Sequence, residues 1–175
     1  MAPRGSNRIR PARPADIEVL VEHRRAMWAA IGGSSRSELK ASDPPYRRWV
    51  RRMIREKRFR AWIAEDASHR PIGSGAVWLT EAQPRPGESQ RFRPYILSMY
   101  TDPGHRGEGI ASAIVRSAVR YAREHGYPRI TLHAAEMGRS VYARLGFERS
   151  WEMRQRFDLP RPRRAARGRP RPHRR

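Results

Sequence analysis

A short glycine-containing stretch, RGEGIASAIV, occupies positions 106–115 and follows the apolar run YILSMYT. Gly107 and Gly109 permit backbone conformations and close approaches that a side chain would hinder. A helix that begins here has N–H groups without intrahelical partners, and its dipole favours an anion. The guanidinium of Arg106 can pair with phosphate oxygens. The residues therefore fit a phosphate-binding loop, and they fit equally an ordinary loop that begins a helix.

Three well-known phosphate-binding patterns do not match this stretch. A Walker A loop needs Gly-Lys-Ser/Thr, which is absent. A dinucleotide-binding fold needs a third glycine where Ser112 stands and an acidic residue at the end of the next strand, where the sequence has His133. The lysine and the catalytic aspartate loop of a protein kinase are also missing downstream.

The wider pattern resembles the GNAT superfamily of acetyl-CoA-dependent N-acetyltransferases. In that family an Arg/Gln-x-x-Gly-x-Gly/Ala loop after a strand binds the pyrophosphate of coenzyme A, and Arg106, Gly109 and Ala111 occupy its positions. A second signature is a tyrosine four residues before a Gly-Phe pair, and Tyr142 in RSVYARLGF matches it. Many relatives have an asparagine seven residues before that tyrosine, whereas this chain has Ala135, so that contact is not carried over.

The resemblance implies acetyl transfer from acetyl-CoA to a primary amine of a small molecule, peptide or protein, within a ternary complex. An acyl group larger than acetyl stays open. Backbone groups at three positions of the strand would hold the pantetheine arm, namely Met99, Tyr100 and Thr101. The loop and the first helical turn would hold the pyrophosphate, through Arg106, Gly107, Glu108, Gly109, Ile110, Ala111 and Ser112.

The resemblance makes Tyr142 the catalytic residue that assists the leaving thiolate. Proton transfer from a phenol with a pKa near 10 to a thiolate near 8.5 is uphill by about 2 kcal/mol, so a hydrogen bond to the sulfur is an alternative to full transfer. The run YILSMYT lacks the glutamate that many members carry, which leaves the base unassigned among Glu22, Glu81, His133 and Glu136. Three aromatic residues could line the acceptor pocket or belong to the core: Trp28, Trp78 and Tyr95.

Hydrophobic periodicity predicts the elements that must position these residues, in the order β-α-α-β-β-β-α-β-α-β. The predicted strands are 7–10, 59–65, 72–80, 95–101 and 129–134, with one or two more within 147–159, and the predicted helices are 14–31, 46–58, 107–124 and 137–145. By resemblance the fold is α/β and GNAT-like, a mixed, mostly antiparallel sheet flanked by helices with splayed central strands.

Composition limits the function further. The chain of 175 residues has no cysteine, which excludes disulfides and thiolate chemistry. Its six histidines lack metal-ligand spacing, so we expect no metal. The N-terminus has no apolar h-region and no run is long enough to span a membrane, which favours a cytoplasmic protein.

The net charge of +21 predicts attraction to polyanions. Residues 160–175 contain eight arginines and no acid, so we expect a disordered basic tail after a single domain at 1–159. The tail is either merely solvated or a contact for nucleic acid. A nucleic-acid- or ribosome-associated protein on a GNAT scaffold, with the arginines of 46–58 as a second contact, is the alternative function. The oligomeric state, including a homodimer, stays open.

Overall fold

Five strands form one sheet in the order β1-β2-β3-β4-β5. The computed structural model describes residues 7–87, 90–155 and 157. The first four strands pair antiparallel, and β5 joins β4 in parallel. The strands are β1 (Arg8–Pro11), β2 (Phe59–Glu65), β3 (Pro71–Glu81), β4 (Phe92–Thr101) and β5 (Thr131–Leu132).

Helices cover both faces of this sheet. They are α1 (Ile17–Ile31), α2 (Arg36–Ala41), α3 (Asp43–Arg55), α4 (Ile110–Glu124) and α5 (Arg139–Arg144), and 3-10 turns lie at Pro14–Asp16, Pro103–His105 and Glu136–Gly138. None of the helices in the described part of the chain has the length and apolar character needed to cross a lipid bilayer.

The core has two layers, one on each face of the sheet. Val21 of α1 and Val50 of α3 pack with Ile63 of β2 on one face. On the other face Ile114 of α4 packs with Val77 of β3. Each of these side chains is almost fully buried, and burial of such a side chain contributes about 1.5–3 kcal/mol. The two layers hold α1 and α4 on opposite sides of β4.

Strand β4 is irregular and open along part of one edge. Ser98 has a φ of 53° and lies in a bulge, because Ser74 pairs with Tyr100 while Ala76 pairs with Leu97. On its other side β4 pairs with β5 only through Tyr95 and Ile96. Among the described residues, no strand pairs with positions 97–101 on that side, so their N–H and C=O groups are available to a ligand.

The predicted architecture, a mixed and mostly antiparallel sheet between helices, is confirmed. Helix α2 was not predicted, although Ser35 and Glu38 form the capping box that signals its start. The predicted strand 129–134 shortens to Thr131–Leu132, since β4 offers it only two partners.

The strands predicted within 147–159 were wrong where the structure describes them, because residues 147–155 and 157 join no ladder. Their alternating pattern had no neighbouring strand to pair with. The rest of that segment and the predicted tail at 160–175 lie outside the described residues. The domain boundary at 159 therefore stays a prediction.

Candidate active site

The predicted phosphate loop lies between the end of β4 and the start of α4. Gly107 has a φ of 84° and Gly109 a φ of 80°, a left-handed region that other residues adopt at a cost. A Cβ atom added to either glycine would meet no protein atom within 4 Å. These two positions therefore need glycine for the backbone angle, and the space in front of them is open.

Helix α4 begins without a side-chain cap. Gly109 is its N-cap residue and makes no side-chain hydrogen bond to the helix. The N–H groups of Ile110, Ala111 and Ser112 come too early in the helix to have intrahelical partners. Since the side chain of Ile110 is buried in the core, that residue can offer a ligand only its backbone. The exposed Arg106 adds a positive charge beside the helix end.

Glu108, the acidic residue in this loop, is held by polar side chains. Nδ2 of Asn7 donates a hydrogen bond of 2.9 Å to its Oε2, and Nδ1 of His105 lies 3.2 Å from the same oxygen. A guanidinium N–H of Arg70 donates to Nε2 of His105 at 3.1 Å, so Nδ1 carries the proton that His105 donates to Glu108. Nothing in the sequence pattern pointed to Asn7 or Arg70, because both lie on distant segments.

A cavity of about 490 Å³ adjoins the loop and the first turns of α4. It is lined by Asn7, Ile9, Asp66, Ala67, His105, Gly107, Glu108, Gly109, Ile110, Ala113 and Arg116.

The three predicted pantetheine-binding positions follow the bulge of β4. The side chain of Met99 packs into the core on the α4 face, while Tyr100 contacts His23 of α1 on the other face, with ring centroids 4.7 Å apart. A Cβ on Gly75 would overlap the sulfur of Met99, so a glycine on β3 is required for this packing. With these side chains held in the two layers, the backbone of 99–101 remains at the open edge.

Tyr142 belongs to α5 and is half-buried on the α4 side of the sheet. Its ring packs against Phe147 in a T-shaped contact, with centroids 5.9 Å apart. Burial raises the pKa of Tyr142, and an electrostatic contribution from Tyr95 adds to the rise. The phenol is therefore neutral at physiological pH and can donate a hydrogen bond.

The four candidate bases lie in different places. Glu81 ends β3 opposite Phe92 and forms an ion pair of 2.8 Å with Arg91, away from the bulge. Glu136 is exposed in the turn before α5, and Glu22 lines a second cavity. His133 follows β5, where the strands separate.

The three candidate aromatic residues also separate. Trp78 packs edge-on against Trp49 in the core, with centroids 5.3 Å apart. Trp28 is 40% exposed on α1. Only Tyr95 lies at the opening of β4 and β5, where its hydroxyl contacts Nδ1 of His133.

The second cavity, of about 590 Å³, lies between α1, α2 and the end of β4. Nδ1 of His23 lies 3.0 Å from the hydroxyl of buried Ser74 at its wall. Burial lowers the pKa of His23 to about 4, although Asp102 opposes the shift. Sequence reasoning missed His23. The cavity is lined by Glu22, His23, Arg25, Ala26, Ala29, Arg36, Leu39, Lys40, Tyr100 and Asp102.

The chain is similar to known proteins in sequence and in structure. Residues 22–147 match the model of the Acetyltransferase (GNAT) family. Human N-acetyltransferase 8B is 32% identical over 93 residues, which are 51% of this chain and 38% of that protein. The chain thus spans well under half the length of this relative. Glucosamine 6-phosphate N-acetyltransferase of Trypanosoma brucei brucei is 29% identical over 111 residues, or 61% of this chain and 73% of that protein.

Two solved structures resemble the fold closely. A GCN5-related N-acetyltransferase from Ralstonia eutropha has a TM-score of 0.78 and 31% identity, and the match covers 87% of this chain and 99% of that one. A predicted acetyltransferase from Clostridium acetobutylicum, solved with acetyl-CoA, has a TM-score of 0.77 and 27% identity, covering 87% and 96%. These names give no support to the nucleic-acid-binding alternative. Because the family model matches residues 22–147, which are most of the chain, the chain belongs to the GNAT family of acetyltransferases.

Proposed function

We propose that this protein is an N-acetyltransferase that transfers the acetyl group of acetyl-CoA to a primary amine by direct attack in a ternary complex. The observation that carries the proposal is the pairing of an uncapped helix N-terminus with an open strand edge. The free N–H groups at the start of α4 come after the exposed edge at 97–101 of β4 along the chain, with the loop at 102–109 between them. A phosphate group and an amide-containing arm would each find hydrogen-bond partners there.

Three features of the described residues support coenzyme A as the ligand. Left-handed Gly107 and Gly109 leave open space beside the helix end, so oxygens of a pyrophosphate could approach the N–H groups of 110–112. Arg106 would pair with the same phosphates. The backbone at Met99, Tyr100 and Thr101 would hold the pantetheine arm as an added strand does.

Acetyl-CoA supplies the thioester, and this chain must supply the donor that stabilises the departing thiolate. Tyr142 is our candidate, because its raised pKa keeps the phenol protonated at neutral pH. A hydrogen bond to the sulfur stabilises the leaving group even without full proton transfer. The acceptor amine must be neutral when it attacks, so an alkylamine with a pKa near 10.4 needs more help than an α-amine near 8.

The domain of 1–159 carries this activity in our proposal, and the basic residues 160–175 lie outside it. The charge of +21 would attract any polyanion, coenzyme A included. A test must therefore separate specific binding from general attraction.

Calorimetry on the full chain at moderate salt makes that separation, with acetyl-CoA as ligand and ATP as control polyanion. We expect acetyl-CoA to bind more tightly than ATP. Arg106→Ala should weaken acetyl-CoA binding by about tenfold, as expected for loss of a charge-assisted hydrogen bond. Arg123→Ala, which removes the same charge from the last turn of α4, should leave binding unchanged.

Turnover is then measured by thiol release with a panel of primary amines. Release of coenzyme A together with an acetylated amine, detected by mass spectrometry, is the expected result. Equal and salt-sensitive binding of acetyl-CoA and ATP, affected alike by the two arginine variants, would refute the proposal.

A further inference from the structure

Three polar side chains form a continuous hydrogen-bonded chain where β4 and β5 separate. The hydroxyl of Tyr95 contacts Nδ1 of His133, and Nε2 of His133 lies 2.5 Å from Oε2 of Glu152. The members come from three segments, namely β4, the residue after Leu132 of β5, and the stretch after α5. The proposed coenzyme and thiolate contacts use none of them.

The partners determine where the protons lie. The hydrogen bond from His133 is the main cause that lowers the pKa of Glu152, so this carboxylate is ionised at neutral pH and accepts the hydrogen bond. Nε2 of His133 is then the donor, and in this tautomer Nδ1 has the free lone pair. Burial raises the pKa of Tyr95, so its hydroxyl keeps a proton to donate to Nδ1. The hydrogen bonds thus run from Tyr95 as donor, through His133, to Glu152 as acceptor.

Tyr95, the first member of the hydrogen-bonded series, lies beside the proposed reaction centre. Tyr95 pairs with Thr131 in the last stretch of ladder before the opening, two residues before Leu97 and the bulge. It is also close enough to Tyr142 to raise the pKa of that phenol. The side chain of His133 is 47% exposed and can exchange a proton with water. Tyr95 therefore lies next to the open edge of β4, and His133 and Glu152 are exposed to solvent.

We propose that Tyr95, His133 and Glu152 form a proton relay that deprotonates the attacking amine, an inference that rests on the proposed acetyltransferase function. The bound ammonium group first gives its extra proton to the hydroxyl oxygen of Tyr95, while the proton of Tyr95 passes to Nδ1 of His133. Glu152 stabilises the resulting imidazolium, which returns its proton to water. The neutral amine nitrogen then bonds to the thioester carbonyl carbon as the carbon–sulfur bond breaks, Tyr142 assists the thiolate, and the nitrogen loses its second proton to water.

Charged and polar groups lie around the relay. Glu152 faces Nε2 of His133 from the segment after α5. Arg154 of the same segment lies 3.3 Å from the other oxygen of Glu152. From β4 the hydroxyl of Tyr95 faces the ring, and Tyr95 contributes to the raised pKa of Tyr142 of α5. No comparable chain of partners involves Glu22 or Glu136 among the described contacts.

The first test needs neither acceptor nor turnover. The imidazole ¹⁵N signals of the full chain, assigned by comparison with a His133→Gln variant, report which ring nitrogen carries the proton. We expect Nε2–H and an unprotonated Nδ1 at pH 8. Protonation at Nδ1 would overturn the proposal, since the ring could not accept a proton from Tyr95.

The second test uses the primary amine with the highest turnover in the panel above. A general base contributes about 10²–10⁴-fold, so we expect His133→Gln and Tyr95→Phe each to lower kcat by at least about a hundredfold at pH 7. The deficit should shrink at high pH, where the amine loses its own proton. Glu152→Gln should reduce kcat, whereas its matched control Glu148→Gln should not.

Acetyl-CoA affinity, measured by calorimetry on the same variants, distinguishes the two proposals. We expect it to stay within about twofold of the wild type, since the relay lies apart from the loop at 106–109. If the wild-type protein does not bind acetyl-CoA, the proposed function fails. Unchanged affinity with a deficit that is constant at every pH means that the three residues only support the fold, and the relay is refuted.

Discussion

Replacing Gly109 with alanine tests whether the backbone of the loop is preformed for a ligand. The residue has a φ of 80° and a ψ of 5°, and an added Cβ would have no contact within 4 Å. The substitution therefore introduces backbone strain without a steric clash. An L-residue in the left-handed region costs about 1–2 kcal/mol.

This strain must appear in one of two measurements. If the substituted residue keeps the left-handed angle, the free energy of unfolding falls by about 1–2 kcal/mol and acetyl-CoA affinity is kept. If the free loop relaxes to a negative φ, binding must restore the original angle, and the affinity falls by about 5–30-fold. We expect the second result, because an added Cβ at Gly107 or Gly109 would meet nothing within 4 Å, so little packing there opposes relaxation.

Gly87 provides a matched control, since it has a φ of 76° and an added Cβ there would also meet nothing within 4 Å. Gly87→Ala should carry the same backbone cost and leave acetyl-CoA affinity unchanged. The assay is calorimetry at moderate salt, combined with urea unfolding. Unchanged acetyl-CoA affinity in Gly109→Ala together with an unchanged free energy of unfolding would show that the loop relaxes at no cost to binding, so that its angle does not matter.

Three further outcomes follow from other contacts. Gly75→Ala should lower the free energy of unfolding in urea by about 1–3 kcal/mol, because the new Cβ would overlap Met99 and lie 2.7 Å from Ile114. An unchanged urea midpoint would contradict this packing. Tyr142→Phe should reduce kcat about 10–100-fold without changing acetyl-CoA affinity, and an equal loss of both would assign Tyr142 to binding. Since burial lowers the pKa of His23 to about 4 from 6.5, the unfolded chain binds its proton first, so stability is full above about pH 6.5 and declines towards pH 4. His23→Gln should reduce this acid-side slope in urea titrations, and an identical slope refutes the shift.

Most of the fold could be predicted from local patterns. The strand at 59–65 has the predicted bounds, and α1 ends at Ile31, before the glycine pair that was expected to stop it. These elements have strong periodicity and clear stop signals. Residues 147–155 and 157 show why pattern is insufficient for a strand, since alternation predicts extended chain but cannot supply a neighbour to pair with.

The site was less predictable because its parts come from distant segments. The motif residues Arg106 and Gly109 could be recognised, since a loop motif is local. The positive φ of Ser98 had no signal in the sequence, because a residue other than glycine rarely adopts such an angle. Tyr95 and His133 are 38 residues apart, and Glu152 follows after a further 19. The register of β4 and β5 brings Tyr95 and His133 together, and the segment after α5 brings Glu152 to His133.

The bulge connects these observations into one physical account. It changes which side chains of β4 face α1 and which face α4, so Leu97 packs on one side while Met99 packs on the other and Tyr100 returns to the first. Because β5 pairs with β4 only up to Leu132, the edge is free just where this change occurs. A ligand lying along the edge would therefore have Tyr95 and Tyr142 on opposite faces of the sheet. A proton acceptor and a hydrogen-bond donor on opposite sides are what attack by an amine and departure of a thiolate require.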